Sequence, residues 1–120
     1  MFSSIIAVAL TTVGLVVVPV TAEAAPAKAK VTVTIKAEGT DMFGVVKSPR
    51  PAVCAANRTV KVFKLIKGEP HLWASDTSDA EGDWSTGNTG TPGRYFAKVA
   101  GNADCKGATS KILRVRRNPN

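Results

Sequence analysis

The stretch DTSDAEGDWS, residues 76–85, gathers four acidic side chains in a chain with a formal net charge of +7. Carboxylates at this density could ligate calcium, since this hard cation prefers oxygen ligands. A calcium loop of the EF-hand type needs glycine at its sixth position and glutamate at its twelfth. With Gly82 sixth, Thr77 is first and Asn88 is twelfth, so both end ligands are wrong. We interpret the stretch as a turn whose Asp side chains cap local amides, with weak calcium binding as the alternative.

Hydrolytic chemistry is the other possibility in this region, because His71, Ser75 and Asp76 lie close together in the sequence. They fall on a segment that reads as a short strand, and side chains three to five residues apart on a strand do not converge as a catalytic triad requires. The chain has neither a phosphate-binding glycine loop nor a paired-cysteine zinc spacing. We therefore expect a protein that is not an enzyme, with no metal and no other cofactor.

Cys54 and Cys105 are the only cysteines of the chain. An even count in an exported protein favours a disulfide, and with two cysteines its connectivity is unambiguous. Two reduced thiols in the core are the alternative. The choice between them depends on the compartment, which the N-terminal residues address.

Residues 1–24 have the layout of a secretory signal peptide. An apolar run from Ile5 to Val20 is followed by the small-residue pattern Ala22-Glu23-Ala24, and we expect cleavage after Ala24. No Lys or Arg precedes the apolar run, which leaves an uncleaved anchor or a misplaced start codon as alternatives. The expected product is secreted or extracellular, or periplasmic if the source is Gram-negative.

Positive charge marks the expected mature protein. Removal of residues 1–24 takes away one acidic residue, Glu23, and no basic one, so the formal charge rises from +7 to +8. This charge suits an anionic envelope polymer, an extracellular protein or merely solubility. We expect a monomer without specific nucleic-acid binding and without membrane contact after signal cleavage. The candidate contacts to an anionic polymer are Lys61, Arg114, Arg116 and Arg117.

Alternating apolar and polar residues predict strands. In VTVTIKA, Val31, Val33 and Ile35 share one face, and in RYFAKVA the inward residues are Tyr95, Ala97 and Val99. Weaker candidates are DMFGVVKS, NRTVKVFKLIKG, HLWASD, GDWST and TSKILRVR. The second of these has apolar residues on both faces, which indicates either partial cover on each side or a bulge.

Turn signals separate the predicted strands. Two prolines in SPRPA argue against regular helix there, Gly68 and Pro70 are expected to break a strand, and GNTGTPG has too many glycines for a strand interior. About seven short strands predict a single antiparallel β-sandwich over residues 31–117. A linker, 25–30, precedes this domain and a tail, 118–120, follows it.

Four aromatic residues, Trp73, Trp84, Tyr95 and Phe96, could form a stacking platform for sugars or bases. The sequence has few aromatic residues, and a sandwich of this size needs large side chains in its core. We therefore expect the core to be their main role.

Two motifs, TSDAEGDW followed by TPGRYFAKV, resemble those of transthyretin-like, carboxypeptidase-regulatory-like β-sandwich domains of bacterial exported and surface proteins. The segments CAANRTVKVFK and DCKGATSK are also similar to those of small exported proteins of this class, in which two cysteines bracket the sandwich. The topology implied is transthyretin-like or Ig-like. The matching positions are Thr77, Gly82, Trp84, Pro92, Gly93 and Tyr95.

The resemblance implies a non-catalytic module for adhesion, binding or structural support, and it names no ligand. We expect a secreted, disulfide-stabilised binding or structural module of the cell envelope or extracellular space. The alternative is a small secreted inhibitor or effector of an extracellular enzyme, which would insert a loop such as KSPRPA or TGNTGTPG into its partner.

Overall fold

Strand β3, Asp41–Lys47, is the centre of the first of two antiparallel sheets. Strands β1, Thr32–Val33, and β2, Lys36–Glu38, form one row along one of its edges. Strand β6, Asp83–Gly87, pairs with the opposite edge. The computed structural model describes residues 27–116; the predicted signal peptide, the start of the linker, Arg117 and the tail lie outside this range.

The strands of the second sheet are β4 Thr59–Ile66, β5 Glu69–Thr77, β7 Gly93–Val99, β8 Ala108–Thr109 and β9 Leu113–Val115. This sheet is built around the pair β4 and β7, with β5 on the outer edge of β4 and a last row, formed by β8 and β9, on the outer edge of β7. The nine strands thus form seven rows, and the predicted all-β antiparallel sandwich is confirmed.

Apolar side chains from the facing sides of the two sheets form the core, as expected where strands alternate between solvent and interior. The predicted inward residues of RYFAKVA are buried, and so are Val31 and Val33 of VTVTIKA, while Ile35 is partly buried. The buried core residues on strands are Val33, Met42, Val46, Val60, Val62, Trp84, Tyr95, Ala97, Val99 and Val115.

Thr34 interrupts the first predicted strand, which the structure divides into β1 and β2. Its hydroxyl accepts a hydrogen bond from the backbone N–H of Val45 at 3.0 Å, and its own N–H donates to the Val45 carbonyl at 3.0 Å. The backbone of Gly44 passes so close that a Cβ there would overlap the Thr34 carbonyl oxygen. Glycine at position 44 therefore permits this approach of the two rows.

A one-turn helix, α1, spans Pro51–Cys54, so the expectation that SPRPA excludes helix is wrong. Pro51 occupies the first turn, where its missing N–H would have no intrahelical acceptor and its fixed φ suits a helix. The N–H groups of Cys54 and Ala55 donate to the carbonyls of Arg50 and Pro51 at 2.8 and 3.0 Å. The helix thereby brings Cys54 into the interior.

The β4–β5 hairpin differs from its prediction at the turn. Lys67 and Gly68, at φ +53° and +81°, form the two-residue connection, and Pro70 lies inside β5 rather than ending it. An edge strand tolerates proline because its outward N–H needs no ladder partner. A register shift opposite Val62 and Phe63 confirms the bulge alternative and makes Trp73 the extra residue of β5.

Cys54 and Cys105 form the predicted disulfide, with Cα atoms 5.6 Å apart. Both residues are fully buried, and Arg58 lies beside them with 5% of its surface exposed. The Arg58 guanidinium donates to the carbonyls of Cys54 at 2.8 Å and Ala100 at 2.6 Å. The disulfide thus connects α1 to the loop after β7, and Arg58, from the loop after α1, bonds to both of these segments.

Candidate functional site

The outer side of the second sheet carries a cluster of cations around an aromatic pair. Side chains on β4 and β7 alternate between the core and solvent. Those that point outward are Lys61, Phe63, Arg94, Phe96 and Lys98. Arg114 of β9 joins them, because it pairs with Arg94. We call these six residues the cationic face.

Strand register decides which residues of the cationic face are neighbours. Lys61 lies opposite Lys98, Phe63 opposite Phe96, and Arg94 opposite Arg114. Side chains directly opposite each other on one face have Cβ atoms about 5 Å apart. The face therefore has a lysine pair at one end, an arginine pair at the other and a phenylalanine pair between them. Arg94 and Lys98 are four positions apart on β7, which separates the two charged pairs by roughly 13 Å.

The two phenylalanines contact each other as stacked rings. The ring centroids of Phe63 and Phe96 are 5.3 Å apart, and the ring planes meet at 19°. Both side chains are half-buried, so part of each ring remains in contact with solvent. The prediction that Phe96 belongs to the core is therefore wrong, and its outward position supplies an apolar centre to a charged surface.

A hollow of about 390 Å³ opens beside the lysine pair, lined by Thr59, Lys61, Phe63, Lys98 and Ala100. Its wall combines two ammonium groups with an aromatic ring. Positive charge, an aromatic side chain and a concave surface thus coincide in this hollow.

The electrostatics of the cationic face are unfavourable for the protein alone. Like charges directly opposite each other in a sheet destabilise it, and this face has two such pairs. The β5 residues that face the same side through their pairing with β4 are Pro70, Leu72, Ser75 and Thr77, none of which is acidic. An anion placed over the face would relieve the repulsion within each pair.

Two of the four predicted contact residues lie on the cationic face, namely Lys61 and Arg114. Arg116 follows β9 as an exposed residue, and Arg117 is outside the described range. The prediction omitted Arg94 and Lys98, although the alternation in RYFAKVA already separates them from the buried Tyr95, Ala97 and Val99. That alternation was the available signal for them.

Lys64 behaves differently from its neighbours in the sequence. Lys61 faces solvent, whereas Lys64, three residues later on β4, pairs with the buried Tyr95 and points to the inward side. Its ammonium lies 4.6 Å from the centroid of the Trp73 ring and donates to the Thr91 hydroxyl at 2.6 Å. Lys64 therefore stabilises one end of the sandwich rather than the cationic face.

Trp73 and Trp84 have different roles. Trp84 is buried as expected, and its indole N–H finds no acceptor within the described residues. Trp73 is 37% exposed, so the expectation that it belongs to the core is wrong. Its indole N–H donates to the carbonyl of Thr89 at 2.8 Å, which attaches the glycine-rich loop after β6 to the middle of β5.

The acidic stretch forms the connection between β5 and β6, with carboxylates bonded to nearby amides. Asp79 Oδ1 accepts hydrogen bonds from the N–H groups of Glu81 and Asp83, both at 2.9 Å. Asp76 Oδ2 accepts one from Ser85 at 2.8 Å, and Gly82 has a φ of +87°. These contacts have the local pattern of a turn built on Asp and Gly.

Replacing Asp79 by alanine is expected to lower the free energy of unfolding by about 1–2 kcal/mol, because two amides lose a charged acceptor. Asp79→Asn is the matched control, since it keeps Oδ1 and should have the smaller effect. Thermal unfolding of both variants with and without a calcium chelator checks this. A wild-type melting temperature that falls on chelation would show that the loop binds calcium.

The residues considered for hydrolysis do not converge. Ser75 pairs with the outward Lys61 and Asp76 with the buried Val60, so these two side chains lie on opposite sides of the sheet. His71 is exposed near the other end of β5. Among residues 27–116, no group of three or more His, Cys, Asp or Glu side chains could hold a metal ion.

A cavity of about 530 Å³ lies between the row of β1 and β2 and the row of β8 and β9. Its lining includes the aliphatic side chains of Ile35 and Ile112, and none of the predicted contact residues.

Within the described part of the chain, no helix has the length and apolar character needed to cross a membrane. No family model matches the chain, and neither a curated protein nor a solved structure shows significant similarity to it.

Proposed function

We propose that this protein is an exported, non-catalytic binding module whose cationic face holds anionic polymers of the cell envelope or extracellular space. The observation that carries the proposal is the pairing of like charges across neighbouring strands, Lys61 with Lys98 and Arg94 with Arg114. Such pairs destabilise an isolated sheet because their charges repel each other, and a bound anionic partner would reduce this repulsion.

The disulfide supports the proposed export of the protein to an oxidising compartment. Disulfides persist in oxidising surroundings and are rare where thiols are kept reduced. Both cysteines are buried where α1 meets the loop after β7. An exported protein of this size benefits from such a cross-link, because a small core leaves little stability in reserve.

Strand order favours the Ig-like alternative over the transthyretin-like one. If the rows are numbered along the chain, with β1 and β2 as row one and β8 and β9 as row seven, one sheet has the order 1-2-5 and the other 4-3-6-7. The Ig constant-type arrangement also places rows 1, 2 and 5 together and rows 3, 6 and 7 together. Row four, β5, here joins the second sheet. In this class of sandwich, binding surfaces differ from member to member, so the function rests on the face and not on the topology.

The test is retention on a column of an anionic polysaccharide across a salt series. The variant Lys61→Gln/Arg114→Gln removes two charges from the cationic face, and Lys36→Gln/Lys47→Gln removes two exposed charges from the first sheet. We expect the first variant to bind about threefold to tenfold more weakly and to elute at lower salt, since each exposed contact contributes about 0.2–1 kcal/mol. The control should elute with the wild type.

Equal elution of both variants would mean that net charge alone determines retention. Equal elution of the wild type and the Lys61/Arg114 variant at low salt would contradict the proposal, and the charge would then serve only to keep the protein in solution.

A further inference from the structure

The hollow beside the lysine pair combines features that charge attraction alone does not require. Thr59, Lys61, Phe63, Lys98 and Ala100 enclose about 390 Å³, near the lower end of the range for small-molecule sites. Phe63 is the next outward residue after Lys61 along β4, about 7 Å away. The hollow therefore places an aromatic ring and the side chains of two lysines in one wall.

A flexible polyanion without rings would use only the ammonium groups. The aromatic ring of Phe63 would then stay in contact with water, although its outward position beside Lys61 places it inside the hollow. A ligand that carries a carboxylate on a flat, partly apolar ring can use both features together. Its carboxylate would lie between Lys61 and Lys98, and the C–H face of its ring would pack against Phe63.

We infer that this hollow is a subsite for one acidic pyranose residue, of the hexuronate class, within a longer acidic polysaccharide. The inference rests on the proposed function and adds to it the chemical class of the polymer. The arginine pair of Arg94 and Arg114, roughly 13 Å further along the strands, would bind a later carboxylate of the same chain. The polysaccharide would accordingly lie along the strand direction.

Single-stranded nucleic acid is the competing polymer, because bases also stack on aromatic side chains. The structure favours the sugar, since Phe63 already stacks on Phe96, which leaves less ring surface than a planar base would cover, whereas the C–H groups of a pyranose need less.

The experiment compares three soluble probes at neutral pH and fixed ionic strength by isothermal titration calorimetry. Oligogalacturonate has rings and carboxylates, its methyl ester has the rings without the charge, and polyglutamate has carboxylates without sugar rings. The proteins are the wild type, Phe63→Leu and Phe43→Leu. Phe43 is a half-buried phenylalanine of the first sheet, so its replacement is the matched control.

We expect Phe63→Leu to weaken binding of oligogalacturonate about threefold to tenfold, as for loss of an aromatic contact, and to leave polyglutamate binding unchanged. Phe43→Leu should change neither, and the methyl ester should not bind detectably. In parallel, titration of the ¹⁵N-labelled wild type with oligogalacturonate should shift the amide signals of Lys61, Phe63 and Lys98. This measurement needs no variant and is independent of any effect of the substitutions on folding.

The outcomes separate the two proposals. If the wild type binds both polyanions, but Phe63→Leu weakens neither or weakens both equally, the sugar subsite is wrong and the proposed function stands. If the wild type binds neither polyanion, the proposed function fails together with the subsite. Displacement of bound oligogalacturonate by an equal concentration of single-stranded DNA would also overturn the subsite and assign the face to nucleic acid.

Discussion

Replacing both Cys54 and Cys105 by alanine is expected to lower the free energy of unfolding by about 4 kcal/mol. The disulfide closes a segment with a sequence separation of 51 residues, which contains the whole of β4, β5, β6 and β7. Without the cross-link, the unfolded chain gains the conformational entropy of this long loop. A small domain has a total stability of about 5–15 kcal/mol, so the loss is a large part of it.

Urea unfolding of the oxidised wild type, the reduced wild type and the double-alanine variant provides the measurement. The reduced wild type and the variant should unfold at similar urea concentrations, both well below the oxidised protein. The reduced protein controls for the side-chain change, because it keeps both sulfur atoms. Midpoints for all three proteins within the error of the method would show that the loop is already held by other contacts.

Replacing Arg58 by methionine is expected to lower the free energy of unfolding by about 3 kcal/mol. Methionine keeps much of the buried stem but leaves the carbonyls of Cys54 and Ala100 without their donors. Each buried acceptor left without a partner costs about 1–3 kcal/mol, partly offset because a buried charge is also removed. Arg58→Lys is the matched variant. It keeps the positive charge, but its single ammonium group cannot reproduce the planar contact of the guanidinium with two carbonyls.

The pH dependence of Arg58 has a defined sign. Burial lowers the pKa of its guanidinium, so the folded protein binds its proton less strongly than the unfolded chain does. The cost of burying the charge is therefore present at acidic and neutral pH, and it diminishes only as strongly alkaline pH approaches the lowered pKa. Stability curves of the wild type and Arg58→Met should run parallel between mildly acidic and neutral pH. A difference that changes across this range would mean that another titrating group depends on Arg58.

Most of the strands could be predicted because burial follows a period of two. The inward sequence Tyr95, Ala97 and Val99 is readable from the chain alone, and the outward Arg94 and Lys98 come from the same pattern. Which rows become neighbours depends on contacts between distant segments, so the pairing of Arg94 with Arg114 was not predictable. The cationic face could thus be predicted only in part, through Lys61 and Arg114.

The local errors also have physical causes. Thr34 divides a regular pattern into β1 and β2 through a hydroxyl bond to the Val45 amide, which sequence periodicity does not register. At the bulge, Trp73 lies at the edge of the core, where its ring contacts the buried Tyr95 and the ammonium of the inward Lys64. In each case a specific side-chain contact modifies a pattern that is otherwise correct.

The divided outer rows of the two sheets limit strand pairing between copies of the protein. An unbroken edge strand can pair with the same edge of another molecule and start aggregation. Here one sheet ends in the divided row of β1 and β2, the other ends in the divided row of β8 and β9, and β5 contains Pro70 and a bulge. These three edges resist strand pairing between molecules, and on the fourth, β6, the Ser85 N–H already donates to Asp76 Oδ2 at 2.8 Å. Copies bound side by side on one polymer should therefore not pair with each other, and each should dissociate independently of its neighbours.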